Sequence, residues 1–349
     1  MSPWILLQYL FLPVAIVAGY YLGGAWNFAI LVICFVIRPL ATILPVKKKP
    51  FVQSHEEKHH SSNAYRLIAL LFVPVLSLLI GWALYQVSNF PLSGIELTGL
   101  CLSTGIVNGI IGFTLGHEFI HRFNTTERFA GHLLLLQNNY LHYSIEHIGG
   151  HHVYACTPKD PHTARLNESF YRFLPRAIVF TFINAWEIES KRLQKKNKAI
   201  FSYHNSMILF MALQITTYIL LAWWGGWLAL IFFIAQSAIA IGLLHIINYL
   251  QHYGLLRKET QKDYFEKVNA HHAWNSKKGS DRSNLFQLEN HADHHMHPTR
   301  TYEQLAEHTD SPEQPTGYTG MIWLALVPPL WFRIMNKRIP LFITQNNSI

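Results

Sequence analysis

The sequence predicts an all-α, polytopic membrane helix bundle of about six spans with a cytoplasmic, histidine-rich helical cap, built as one domain over residues 1–349. Three observations predict it. Half of the 349 residues are hydrophobic and only 14% are charged, too little polar surface for an ordinary soluble domain of this size. The apolar residues come in runs long enough to cross a hydrocarbon core. Fourteen of the 21 histidines lie in or beside four short stretches, each just after an apolar run or in the polar segments between runs.

The runs fall at about 4–25, 26–46, 67–87, 95–116, 207–224 and 227–250. The first carries no charge, no basic leader and no small-residue cleavage site, so it reads as a retained span rather than a signal peptide. Arg38 and Pro39 interrupt the second. Lys47, Lys48 and Lys49 follow the second run, and Lys191, Arg192, Lys195, Lys196 and Lys198 lie between the fourth and fifth; the link after the third has no Lys or Arg. Basic residues collect on the cytoplasmic side. Both termini, residues 117–203 and residues 251–349 are therefore expected inside, and all four histidine stretches fall on that same side. Residues 173–186 are apolar but too short to span, which suits an interfacial helix. Residues 321–331 are interrupted by Pro328-Pro329 and read as re-entrant or surface-lying.

Net charge is +8, which basic loops beside an anionic leaflet account for without nucleic acid. The three cysteines, Cys34, Cys101 and Cys156, form no C-x-x-C pair, so neither a disulfide framework nor an internal iron–sulfur or rubredoxin-type centre is expected. Any electrons must come from another protein.

The histidine stretches carry the chemistry. His117 and His121 stand four apart at the end of the fourth run, on one face of a continuing helix. With Glu118 they also spell H-E-x-x-H, the zinc-protease signature. His147, His151 and His152 repeat the four-residue step, with Gly149 and Gly150 removing bulk where the backbone approaches a metal or another helix. His291, His294 and His295 give steps of three and four, again one helical face, and His252 stands alone at the end of the sixth run. Nine imidazoles exceed what one metal can use, which points to two. Glu118, Glu146, Asp293 and Asn290 adjoin them and are expected to accept the ligands' second ring N–H. His142, His271 and His272 rank below the nine, and His55, His59 and His60 read as a solvated loop.

The set H-E-F-I-H-R, E-H-x-x-G-H-H, N-Y-x-Q-H-Y-G-L and N-H-x-D-H-H resembles the integral-membrane alkane hydroxylase and xylene monooxygenase family, relatives of the membrane fatty-acid desaturases. The likeness extends to Thr157-Pro158-Lys159-Asp160-Pro161, His272-Ala273-Trp274-Asn275-Ser276, Pro298-Thr299-Arg300 and Pro315-Thr316-Gly317-Tyr318, and covers about residues 110–335. The segment around His252-Tyr253-Gly254 separates these hydroxylases from desaturases. The resemblance implies a non-haem diiron centre held by His117, His121, His147, His151, His152, His252, His291, His294 and His295. It implies O2-dependent insertion of oxygen into an unactivated methyl C–H of a hydrophobic substrate, most simply the terminal methyl of an n-alkane. Electrons would come from rubredoxin and its reductase, or from a ferredoxin-type reductase, at a bacterial cell inner membrane. Gln251 and Asn290 look like the xylene branch, whereas Asn275-Ser276 and His297-Pro298-Thr299-Arg300 look like the alkane branch.

Competing readings are an alkyl-aromatic methyl monooxygenase or a fatty-acyl desaturase or hydroxylase. Outside this class stand a membrane zinc protease using His117, Glu118 and His121, which leaves seven histidines unused, and a metal carrier. Carriers place ligands near the bilayer midplane, whereas these cluster at one face.

Overall fold

The computed structural model describes residues 3–43, 63–276, 286 and 288–339, with side chains left out at 41–43. The lysines at 47–49 and His55, His59 and His60 lie outside the described residues. Helices α1 (Pro3–Leu22), α3 (Asn63–Asn89), α4 (Gly94–Ile120) and α8 (Ser206–His252) are each long and apolar enough to cross a membrane, and α2 (Gly24–Leu40) is a shorter apolar helix. A 27-residue helix such as α3 is about 40 Å long, more than a hydrocarbon core needs.

The 47 residues of α8 are two arms. Gly226 breaks the helix with φ 71° and ψ −175°, a conformation open almost only to glycine. Tyr218 and Phe233 then lie with ring centroids 6.5 Å apart, where an unbroken helix would separate them by about 22 Å. The fifth and sixth apolar runs are thus the two arms of a hairpin. Exposed Trp223, Trp224 and Trp227 stand at its tip, the belt position that amphipathic rings favour at a membrane–water interface.

Local chemistry sets the other boundaries. Ser93 caps α4: its hydroxyl accepts from the Glu96 N–H at 3.3 Å, while the Glu96 carboxylate accepts from the Ser93 N–H at 3.0 Å. Asn124 caps α5 (Thr125–Gln137) and Asn205 caps α8, each side-chain oxygen accepting from the first-turn N–H groups.

Helix α5 departs from the expectation of a purely cytoplasmic cap. It turns back along α4, where a Cβ on Gly131 would meet the Gly116 carbonyl oxygen at 3.1 Å. Its end reaches halfway down the bundle: Asn139 donates to Ser237 Oγ at 2.8 Å and the Gln137 carbonyl accepts from Gln236 at 2.9 Å. Asn108, midway along α4, donates to the same Gln236 side chain at 3.1 Å. These mutual bonds let non-helical backbone sit at that depth, which lipid-exposed loops cannot do.

From there the chain climbs through a short helix, α6, made of Tyr143–Glu146, a π-turn His147–His151 and His152–Tyr154. The apolar segment at 173–186 lies inside a longer surface helix, α7 (Phe170–Lys195), with Phe180, Phe182 and Ile183 exposed. After α8, strands β1 (Glu259–Gln261) and β2 (Tyr264–Phe265) pair antiparallel, and an isolated parallel bridge joins Asn275 to Glu313. Helix α9 (His291–Met296) carries the last histidine stretch. Helices α10 (Tyr318–Ala325) and α11 (Pro328–Met335) follow, and Pro328 and Pro329 open α11 just after the break between them. One apolar core joins α1, α3, α4 and α8. A second, around Tyr249, Tyr253, Trp274 and Trp331, ties α10 and α11 to the end of α8.

Candidate metal centre

All nine predicted imidazoles converge, and they do so in two groups. His117, His121, His147, His152 and His294 form one; His151, His252, His291 and His295 form the other. Within each group the donor atoms lie within 4.8 Å of one another. In the first, Nε2 atoms are separated by 3.0 Å (His121–His147), 3.0 Å (His147–His152) and 3.1 Å (His152–His294). In the second the spacings are 3.1 Å (His252–His291) and 2.9 Å (His291–His295). The groups abut, the His152 and His295 rings being 4.7 Å apart.

The partition follows from backbone winding. His117 and His121, one α-turn apart at the end of α4, share a group as their spacing predicts. In α6 the expected four-residue step fails. The π-turn makes an i→i+5 bond, the His152 N–H donating to the His147 carbonyl. His152 therefore lies over His147, and His151 turns to the second group. Gly149 and Gly150 admit a neighbouring helix there: Cβ atoms on them would meet Ile188 of α7 at 3.0 and 3.3 Å. On α9 the expectation of one face is also corrected. His291 and His295, four apart, join the second group, and His294 joins the first, so α9 lies between the two.

The donor chemistry fits metal ions. Burial pushes His121 down to about 4 and holds His147, His152, His291, His294 and His295 well below the ordinary histidine range. These imidazoles are then neutral, with a lone pair to give. His147 and His291 each have two Nε2 neighbours near 3 Å, but a neutral ring has one N–H to share. His151 Nε2 is buried with no protein partner among the described residues. A cation about 2.0–2.1 Å from each nitrogen would set donors at right angles about 2.9 Å apart, close to the spacings observed.

The adjoining carboxylates do not take the expected place against the ligand rings. Glu118 pairs with Arg122 and accepts from the Tyr302 backbone N–H at 3.0 Å. Asp293 is held by Arg300 at 3.1 Å, by the Ala306 N–H at 3.0 Å and by His308 at 2.7 Å. Glu146 meets His162 at 2.8 Å. All three sit within a residue of a ligand in sequence but point their oxygens at cap segments, pinning residues 300–308 and 162 over the site. Asn290 likewise donates to the Leu305 carbonyl at 3.3 Å.

The carboxylate that does touch a ring of the set is Asp160, whose Oδ2 lies 3.0 Å from His151 Nδ1. It also accepts from Thr163 Oγ1 at 2.6 Å and from the His162 N–H at 3.0 Å. His162 stands between Glu146 and Asn248, the latter 2.7 Å from its Nδ1. Burial pulls His162 down, but the Glu146 carboxylate, with Asp160, outweighs it and raises it. Sequence spacing missed both residues; the one signal was Asp160 inside the T-P-K-D-P segment. The lower-ranked histidines lie outside both groups: His142 packs on Tyr140 and Phe182, and His272 pairs with Glu266 at 3.3 Å.

A cavity of about 850 Å³, counting its open mouth, reaches these rings. His117, His147 and His291 line it on the metal side, Ile110, Phe113, Leu243, Leu244 and Ile247 supply apolar wall, and Arg38, Asn248 and Gln251 add polar groups to the lining. A lone H-E-x-x-H protease site does not describe this arrangement. Zinc there needs an open fourth position, whereas His117 and His121 share their group with three more imidazoles and Glu118 is tied to Arg122.

The Fatty acid desaturase family model matches residues 93–325, which include all nine rings. The chain is 37% identical to alkane 1-monooxygenase 1 of Pseudomonas aeruginosa, over 90% of this chain and 83% of that one. It is 40% identical to alkane 1-monooxygenase 2 of Alcanivorax borkumensis, over 78% and 71%. Similarity to the xylene/toluene monooxygenase hydroxylase component XylM of Pseudomonas putida is 27% over 95% and 88%.

Proposed function

The chain belongs to the fatty acid desaturase family, and we propose that it is a membrane monooxygenase that hydroxylates the terminal methyl of n-alkanes at a diiron centre. It is an integral-membrane, alkane 1-monooxygenase-like oxidoreductase with a histidine-rich metal site. One observation carries the finer reading: a largely apolar cavity ends on His117, His147 and His291, members of both imidazole groups. The alkane substrate is further supported by 33–40% identity to alkane 1-monooxygenases, against 27% to the xylene-type relative.

His117, His121, His147, His152 and His294 would hold one iron, and His151, His252, His291 and His295 the other. Together the irons would supply O2 activation, with two electrons and two protons from outside, one oxygen atom entering substrate and the other leaving as water. The chain's own residues orient and exclude. Leu243, Leu244 and Ile247 of α8 and Ile110 and Phe113 of α4 offer a chain no hydrogen bonds, so selection rests on length and shape, at about 1–3 kcal/mol per methylene. The same walls keep water from the reacting methyl. Asp160 fixes the His151 tautomer and so aims its Nε2 into the second group. Cys34, Cys101 and Cys156 are free thiols on separate elements, which supports an external donor, rubredoxin or a ferredoxin-type reductase. We place the metal face and both termini in the cytoplasm, from the basic residues.

Lipid-nanodisc protein loaded with iron and given rubredoxin, its reductase and 18O2 should turn n-octane into 1-octanol carrying one 18O. Product from p-xylene or a fatty acid with none from any alkane would move the substrate assignment, and no O2-dependent product from any of them would refute the reading.

A further inference from the structure

We propose that the seam between α2 and α10 is the entrance through which a hydrophobic substrate passes sideways from the bilayer into the cavity, and that Phe35 and Trp323 select by girth what enters. This rests on the hydroxylase reading and adds the route and two specificity-determining residues.

The cavity is walled by α2, α4, α8 and α10, and their seams differ. Between α4 and α8 there is no room: Cβ atoms on Gly105 and Gly109 would meet Gln236 O at 2.6 Å and Leu243 Cδ1 at 2.8 Å. Between α8 and α10, Gln251 donates to the buried Tyr318 hydroxyl at 2.9 Å, and Tyr318 donates on to the Leu288 carbonyl at 3.0 Å. The α2–α10 seam is looser. The first half of α2 packs along α4, whereas its last turns lie against α10. Phe35 on α2 and Ile322 on α10 both line the cavity and are both partly exposed. Beside them Trp323 is 49% exposed and stands outside the residues that line the cavity.

The Trp323 indole N–H donates to the Phe35 carbonyl at 2.8 Å, and the two rings meet edge-on at 6.5 Å. Phe35 sits in a π-turn, Ile33–Ile37, an irregularity that often marks functional positions in helices. Helix α10 has eight residues and ends just before Pro328-Pro329, so the element on this side of the seam is short. Opening this contact joins bilayer to cavity; Arg38, about one turn beyond Phe35 on α2, also lines that cavity.

Two variants push in opposite directions. Trp323→Ala should raise kcat/KM for a branched relative to a linear hydrocarbon of equal carbon number by about fivefold or more. Ile322→Trp, which fills the mouth, should lower kcat/KM for both by about tenfold with bound metal unchanged. A readout independent of turnover uses a long-chain alkyl diazirine photolysed in nanodiscs, with adducts mapped by peptide mass. Buried Cys34, inside the mouth, should be labelled in the native protein, more in Trp323→Ala and not in Ile322→Trp. Undiminished Cys34 adducts in Ile322→Trp, or an unmoved branched-to-linear ratio in Trp323→Ala, would overturn the entrance. If the adducts behave as stated but no hydrocarbon is hydroxylated, the hydroxylase reading fails and the entrance stands.

Discussion

Replacing Asp160 with asparagine should loosen one metal and leave the other in place. Asp160 Oδ2 accepts from His151 Nδ1 at 3.0 Å, and His151 belongs to the group with His252, His291 and His295. Asparagine keeps the volume and one oxygen but loses the charge that makes the bond strong and fixes the tautomer. Loss of such a partner typically weakens metal affinity about 10–100-fold, or roughly 1.4–2.7 kcal/mol. None of the other group's five imidazoles contacts Asp160, so its affinity should hold. The assay is metal retained per chain after equilibration with increasing competing chelator. Native protein should release both metals at high chelator, and Asp160→Asn should release one about 10–100-fold earlier. Thermal unfolding of the apo protein controls for the two other bonds Asp160 accepts, from Thr163 and the His162 backbone. Release of both metals together at the native chelator concentration would refute the reasoning.

Further outcomes follow from the same geometry. His252→Ala should halve the bound iron and abolish O2-dependent product; full activity would remove His252 from the site. Gly150→Ala would bring a Cβ to 2.7 Å from Glu146 Oε1 and 3.3 Å from Ile188, so it should destabilise by about 1–3 kcal/mol, read as a lowered Tm. Gly226→Ala forces a side chain into a conformation at φ 71° and should cost about 1–3 kcal/mol, again by Tm, with turnover per bound iron unchanged. Stripping metal with chelator should lower Tm by an amount that grows with the free iron concentration of the holo reference, because only the folded chain gathers nine imidazoles.

The apolar runs and the histidine stretches were legible because each is a local property: a run needs only length, and a ligand only its ring. Five of the six runs became α1, α3, α4 and the two arms of α8, the second gave the shorter apolar helix α2 among the described residues, and all nine rings met. What spacing could not give was winding. H-I-G-G-H-H counts as a four-residue step on an α-helix, yet the π-turn pairs His147 with His152, and nothing in local composition distinguishes the two windings. The ligand's carboxylate partner was hidden for a related reason. Glu118, Glu146 and Asp293 are sequence neighbours of ligands, but adjacent residues on a helix point about 100° apart. Asp160 reaches His151 only because the loop after α6 folds back over it. The return of α5 into the bundle was hidden too. Its 13 residues are too few to span, and its depth depends on asparagine and glutamine bonds to helices far away in sequence.

The central claim is that these nine imidazoles hold two irons. Elemental analysis of protein isolated from its native membrane tests it most directly: two irons per polypeptide, falling to about one in His252→Ala, is the predicted result. A single zinc per chain, or no bound metal in a correctly folded preparation, would contradict it.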